Sequence, residues 1–90
     1  MYYWIANSDD GAFEEDSIRD YGKKFNTKRE AYDDMRNAAL EKMKWNTEYD
    51  EDYDEQEAGY IDYDVHFEFS QGKITHESYS GLYTYEIKEQ

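Results

Sequence analysis

The most regular pattern in the chain lies in its last third. Ile61, Tyr63, Val65, Phe67 and Phe69 alternate with Asp62, Asp64, His66 and Glu68. A period of two predicts a strand with one apolar and one polar face. Ser70-Gln71-Gly72-Lys73 reads as a turn, and a second strand is predicted from Ile74 to Tyr79. There Ile74, His76 and Ser78 share one face and Thr75, Glu77 and Tyr79 the other. Ser80-Gly81 is the next turn, and Leu82 to Ile87 completes an antiparallel meander with Tyr83, Tyr85 and Ile87 on a common face.

A different period runs through the middle. Ala31, Met35, Ala38, Ala39 and Met43 recur three or four apart, with Tyr32 and Trp45 flanking the stripe. Thr27 stands three residues before Glu30, a capping box, and Phe25 sits close to a staple position. The segment from Lys28 to Asn46 holds no Pro, Gly or β-branched residue, so local propensity agrees. A helix is predicted from Lys28 to Trp45, with Lys42 and Lys44 near its C-terminal end and Asn46 as its stop.

The N-terminal third is less regular. Tyr2-Tyr3-Trp4-Ile5-Ala6 predicts a strand, closed by the turn formers Asn7 to Gly11. A second short strand around Ser17 to Tyr21, pairing back on the first, competes with an irregular loop. Residues 1–90 thus read as a single small α+β domain: a two-layer sandwich, one helix packed on a mostly antiparallel sheet of four or five strands. The first strand is expected to pair with the meander, at its edge. The expected core is Trp4, Ile18, Phe25, Tyr32, Met35, Ala39, Met43, Ile61, Tyr63, Val65, Phe67, Phe69, Tyr85 and Ile87.

Charge changes the picture. The chain carries 23 Asp and Glu against 10 Lys and Arg, a formal net charge of -13. Such a charge pushes toward disorder, but aromatic residues make up 19% of the chain, among them 11 Tyr, and favour a folded, wet-edged core. The charge is unevenly spread. Arg19 to Lys44 is net basic, whereas Trp45 to Gly72 holds ten acids and no Lys or Arg. Within it, residues 47–59 read as an acidic, self-repelling loop. Direct binding to nucleic acid or to anionic membranes is disfavoured, and attraction to basic protein surfaces is expected. The competing explanation of the charge is solubility alone.

Candidate chemistry is sparse. Without Cys there is neither a disulfide nor a thiolate metal site. With no long apolar run and no signal-peptide pattern, the chain is expected to be cytoplasmic. Asp50, Asp52 and Asp54 resemble the opening of a calcium loop, but Glu55 stands where that loop needs Gly and Ile61 where it needs Glu. His66 and His76, equidistant from the Gln71-Gly72 turn, would hold a metal only if register brought them together; otherwise each is expected to be exposed beside acids. Ser8, Ser17, Ser70, Ser78 and Ser80 lie in no nucleophile elbow, and the glycines are isolated. The reading is of a non-enzyme without cofactors.

The expected role is a small, tyrosine-rich, acidic protein-interaction module. Its surface would comprise Glu48, Tyr49, Asp50, Asp52, Tyr53, Asp54, Glu55, Glu57, Asp62, Asp64 and Glu68, with Tyr60, Tyr79 and Tyr83 among the tyrosines left exposed. In charge and size alone it is similar to small acidic inhibitors that mimic DNA. The alternatives are a structural homo-oligomer, completed at its strand edges, and a small metal protein or enzyme using His66 and His76.

Overall fold

In the computed structural model, which describes residues 1–48, 63–78 and 81–90, the predicted alternation becomes pairing. The elements are β1 (Tyr2–Ser8), β2 (Glu14–Asp16), α1 (Lys28–Glu48), β3 (Tyr63–Glu68), β4 (Lys73–Ser78) and β5 (Gly81–Glu89). The five strands form one sheet in the order β2-β1-β5-β4-β3, with every neighbouring pair antiparallel. One helix packed on such a sheet is an α+β fold, and α1 lies over β1, β5 and β4.

Register decides which face is buried. Trp4 pairs with Ile87, Ala6 with Tyr85 and Ser8 with Tyr83; Ile74 pairs with Tyr85 and His76 with Tyr83. Directly opposed residues share a face. Trp4, Ala6, Ile74, Tyr83 and Tyr85 therefore meet the helix stripe of Tyr32, Met35, Ala39 and Met43. The reverse face carries Thr75, Glu77, Thr84 and Glu86, and one wet face is normal for an antiparallel sheet. The capping box forms: Thr27 Oγ1 accepts the Glu30 N–H at 3.1 Å and donates to its carboxylate at 3.0 Å. The helix continues past Asn46 to Glu48, so Lys42 and Lys44 sit above its last turn.

β1 does join the meander at its edge, pairing with β5, and β2 pairs back on its other side. Several expectations are corrected. The short strand is Glu14–Asp16 rather than residues 17–21. Asp16 ends it because its Oδ1 accepts the N–H groups of Ile18 (2.8 Å) and Arg19 (3.0 Å), starting a helical turn where a strand was expected. Beyond that turn the edge of β1 stays paired. Ser17 donates its N–H to the Trp4 carbonyl and accepts the Trp4 N–H on Oγ at 3.0 Å, and Tyr2 exchanges two bonds with Phe25.

Val65, Phe67 and Phe69 are exposed at 36%, 40% and 38%, not core. β3 is an edge strand at the margin of α1, and a bulge between Tyr63 and His66 with Asp64 at φ 48° breaks its alternation. Phe69 leaves the strand for the 3₁₀ turn Phe69–Gln71, where it meets Tyr32 edge-on. Ile18, Phe25 and Ile87 are half-buried. Tyr83 is buried instead of exposed, and so is His76. Ile61 lies outside the described residues, as do residues 49–59 of the acidic loop, Tyr60 and Tyr79.

Gly81 opens β5 at φ +130°, and a Cβ there would run into the Asp9 carboxylate, whose Oδ1 accepts the Leu82 N–H at 3.2 Å. Gly81→Ala is expected to cost about 1–3 kcal/mol through backbone strain and displacement of Asp9. Urea denaturation checks this: the midpoint should fall with an unchanged slope, and an unshifted midpoint would refute it.

Candidate functional site, a groove beside the helix

Along the side of α1 nearest β2 runs a groove of about 620 Å³. Its helix wall is Asp34, Asn37, Ala38, Glu41, Lys42 and Trp45, spaced three or four apart and so on one stripe, with Lys44 beside them. Opposite stand Trp4 of β1, Phe13 and Glu15 of the β1–β2 hairpin, and Tyr21 and Lys23 of the turn that Asp16 begins.

Asp34 organises one end. Its Oδ2 accepts the Trp4 indole N–H at 2.9 Å and its Oδ1 the Lys23 ammonium at 3.2 Å. The turn is held by Asp20, whose Oδ2 accepts the Asp16 N–H at 2.8 Å and whose carboxylate meets the Arg19 guanidinium. That guanidinium bond, then the Asp16 N–H, holds the Asp20 carboxyl below the ordinary aspartate value. Tyr21 lies 6.2 Å from the Trp4 ring and is 52% exposed. Partial burial of its hydroxyl, then the adjacent Glu15 carboxylate, raises the phenol above its usual value.

Phe13 forms the other end, placed by a hydrogen-bonded hairpin loop. Ser8 Oγ donates to Asp10 Oδ1 at 2.6 Å and accepts the Phe13 N–H at 3.1 Å, while Asp10 also accepts the Ala12 N–H. The Ser8 hydroxyl and then the Ala12 N–H lower the Asp10 carboxyl. Phe13 meets Tyr83 edge-on at 5.4 Å. The Lys42 ammonium lies 4.9 Å from the Phe13 ring centroid, 5.6 Å from Tyr83 and 4.3 Å from Trp45, itself 53% exposed.

Beneath that end lies an aromatic stack. His76 is fully buried, 4.8 Å from the Tyr83 ring at 14° and 5.4 Å from Tyr85, and its Nε2 is 3.0 Å from the Tyr85 hydroxyl. His66 pairs with Thr75 on the opposite face of the sheet, so register separates the two imidazoles. No group of three or more His, Asp or Glu side chains is poised for a metal among the described residues. No helix among them is long and apolar enough to cross a membrane.

Of the acidic surface expected from sequence, Asp64 and Glu68 are exposed on β3, and Glu48 ends α1. Tyr49, Asp50, Asp52, Tyr53, Asp54, Glu55, Glu57 and Asp62 lie outside the described residues. Sequence reading missed the groove. Its one local signal is the stripe from Asp34 to Trp45 beside the core stripe; Tyr21, Lys23 and Phe13 reach it only through the fold. The cleft combines aromatic faces with three carboxylates (Glu15, Asp34, Glu41) and three ammonium groups (Lys23, Lys42, Lys44). Comparison with known proteins returns no matching family, no matching curated protein and no matching solved structure.

Proposed function

We propose that the chain is a small acidic interaction module that docks on a basic protein surface. The observation that carries this is the charge of both sheet edges: β2 is Glu14-Glu15-Asp16, and β3 carries Asp64 and Glu68 with no Lys or Arg on either strand. With a net charge of -13, such edges attract a basic partner at long range. Half-exposed Tyr21 and Trp45 supply the amphipathic rings favoured at protein interfaces. In a sharper form, the carboxylates occupy a partner's phosphate-binding site, as a nucleic-acid-mimicking inhibitor would.

The edges work against the alternative of a homo-oligomer. One is three residues long and the other is bulged, and both carry carboxylates, Glu14 on β2 being paired with Arg19. Binding to core histones, with heparin and duplex DNA as competitors, tests the proposal. Affinity should fall at least ~tenfold between roughly 50 and 200 mM salt, and both polyanions should displace the chain. Association indifferent to salt, or none at low salt, would sink it.

A further inference from the structure

Lys42 is out of character for this protein. The chain holds 23 carboxylates, yet among the described residues the Lys42 ammonium has none as a partner and sits against three aromatic rings instead. The rings come from three separate places: Phe13 from the hairpin, Tyr83 from β5 and Trp45 from the helix one turn on. Their negative faces form an ammonium site, and the structure already shows an ammonium in it.

We propose that the Phe13–Tyr83–Trp45 site receives a lysine side chain of a basic partner, and that Lys42 holds the place until that side chain displaces it. The inference rests on the reading of the chain as a basic-partner module and says where one contact falls. The floor of the site is rigid, because Tyr83 is 5% exposed and packed against Phe13 and His76. Its outer wall, Trp45, is half exposed, so exchange needs no opening of the core. Lys42 hangs on a flexible four-carbon stem and leaves by side-chain rotation alone. Glu15 and Glu41 line the same groove together with Lys23 and Lys44, so the attraction to a basic partner comes from the net charge of -13 and not from the groove itself.

A tethered occupant competes with its own ligand, so Lys42 lowers apparent affinity. The test is an NMR titration of the wild-type chain with a Gly-spaced tetralysine peptide, its fully acetylated form serving as the neutral control. The Lys42 Hε resonances should start upfield, in the ring currents, and move toward solvent values as tetralysine binds. The acetylated peptide should leave them in place. Lys42→Ala should bind tetralysine about tenfold more tightly. If tetralysine binds while the Lys42 resonances stay fixed, the ring site is not the receptor and this inference falls alone. If tetralysine binds neither protein, the basic-partner reading falls and takes the inference with it. The wild-type titration decides the first case even if Lys42→Ala proves unstable.

Discussion

Trp4→Ala should remove a large part of the stability of the fold. The indole is 1% exposed and joins three parts of the molecule. Its ring packs with the helix stripe in the core, and its N–H binds Asp34 at 2.9 Å. Its backbone exchanges bonds with Ser17, whose side chain is fully buried. Truncating a buried Trp costs about 3–5 kcal/mol. A chain of this length has roughly 5–13 kcal/mol in all. The substitution also takes from Asp34 one of its two partners and from the groove its floor. Trp4→Phe keeps most of the packing and loses the indole N–H, so it should cost about 1–2 kcal/mol. Guanidinium denaturation followed by far-UV circular dichroism measures both. A Trp4→Ala midpoint close to wild type would mean that the β1–helix contact does not hold the two layers together.

Backbone alternation was legible in the sequence, and position within the sheet was not. The capping box and the stripe from Ala31 to Met43 place the helix because capping and packing act locally. The shared face of Tyr83, Tyr85 and Ile87 follows from period two alone. The same reasoning fails for Val65, Phe67 and Phe69, which have a stronger apolar face than β4 yet stay exposed. Burial depends on which strands lie under α1, and α1 covers β1, β5 and β4. Arg36 and Arg29 instead lie over the Phe67 and Phe69 rings, at 5.3 and 5.0 Å. Ser17 and His76 fail in the opposite direction. Both look like surface residues and both are fully buried, because one completes the pairing of β1 and the other fits between two tyrosines. The groove was less visible still, since Phe13, Tyr21 and Asp34 are brought together by tertiary packing and not by spacing.

His76→Ala should destabilise the fold by about 2–4 kcal/mol, and two of the losses behind that cost can be separated. One is the stack: the imidazole lies nearly parallel to Tyr83, its direct cross-strand partner, and packs diagonally on Tyr85. Ring pairs of this kind contribute about 0.5–1.5 kcal/mol beyond the area they bury. The other is the 3.0 Å bond to the Tyr85 hydroxyl, in a site without solvent exposure. Breaking a buried hydrogen bond from one side costs about 1–3 kcal/mol. His76→Phe separates them, because a phenyl ring keeps the stack and drops the bond. It should cost about 1–2 kcal/mol, clearly less than His76→Ala, with near-UV tyrosine dichroism retained. If the two variants were equally destabilised, the bond alone would account for His76. If His76→Ala were nearly neutral, the stack under the groove would contribute nothing to the fold. The ring site of Phe13, Tyr83 and Trp45 would then lack the rigid floor that holding an ammonium requires, so this denaturation series also bears on where a basic partner can bind.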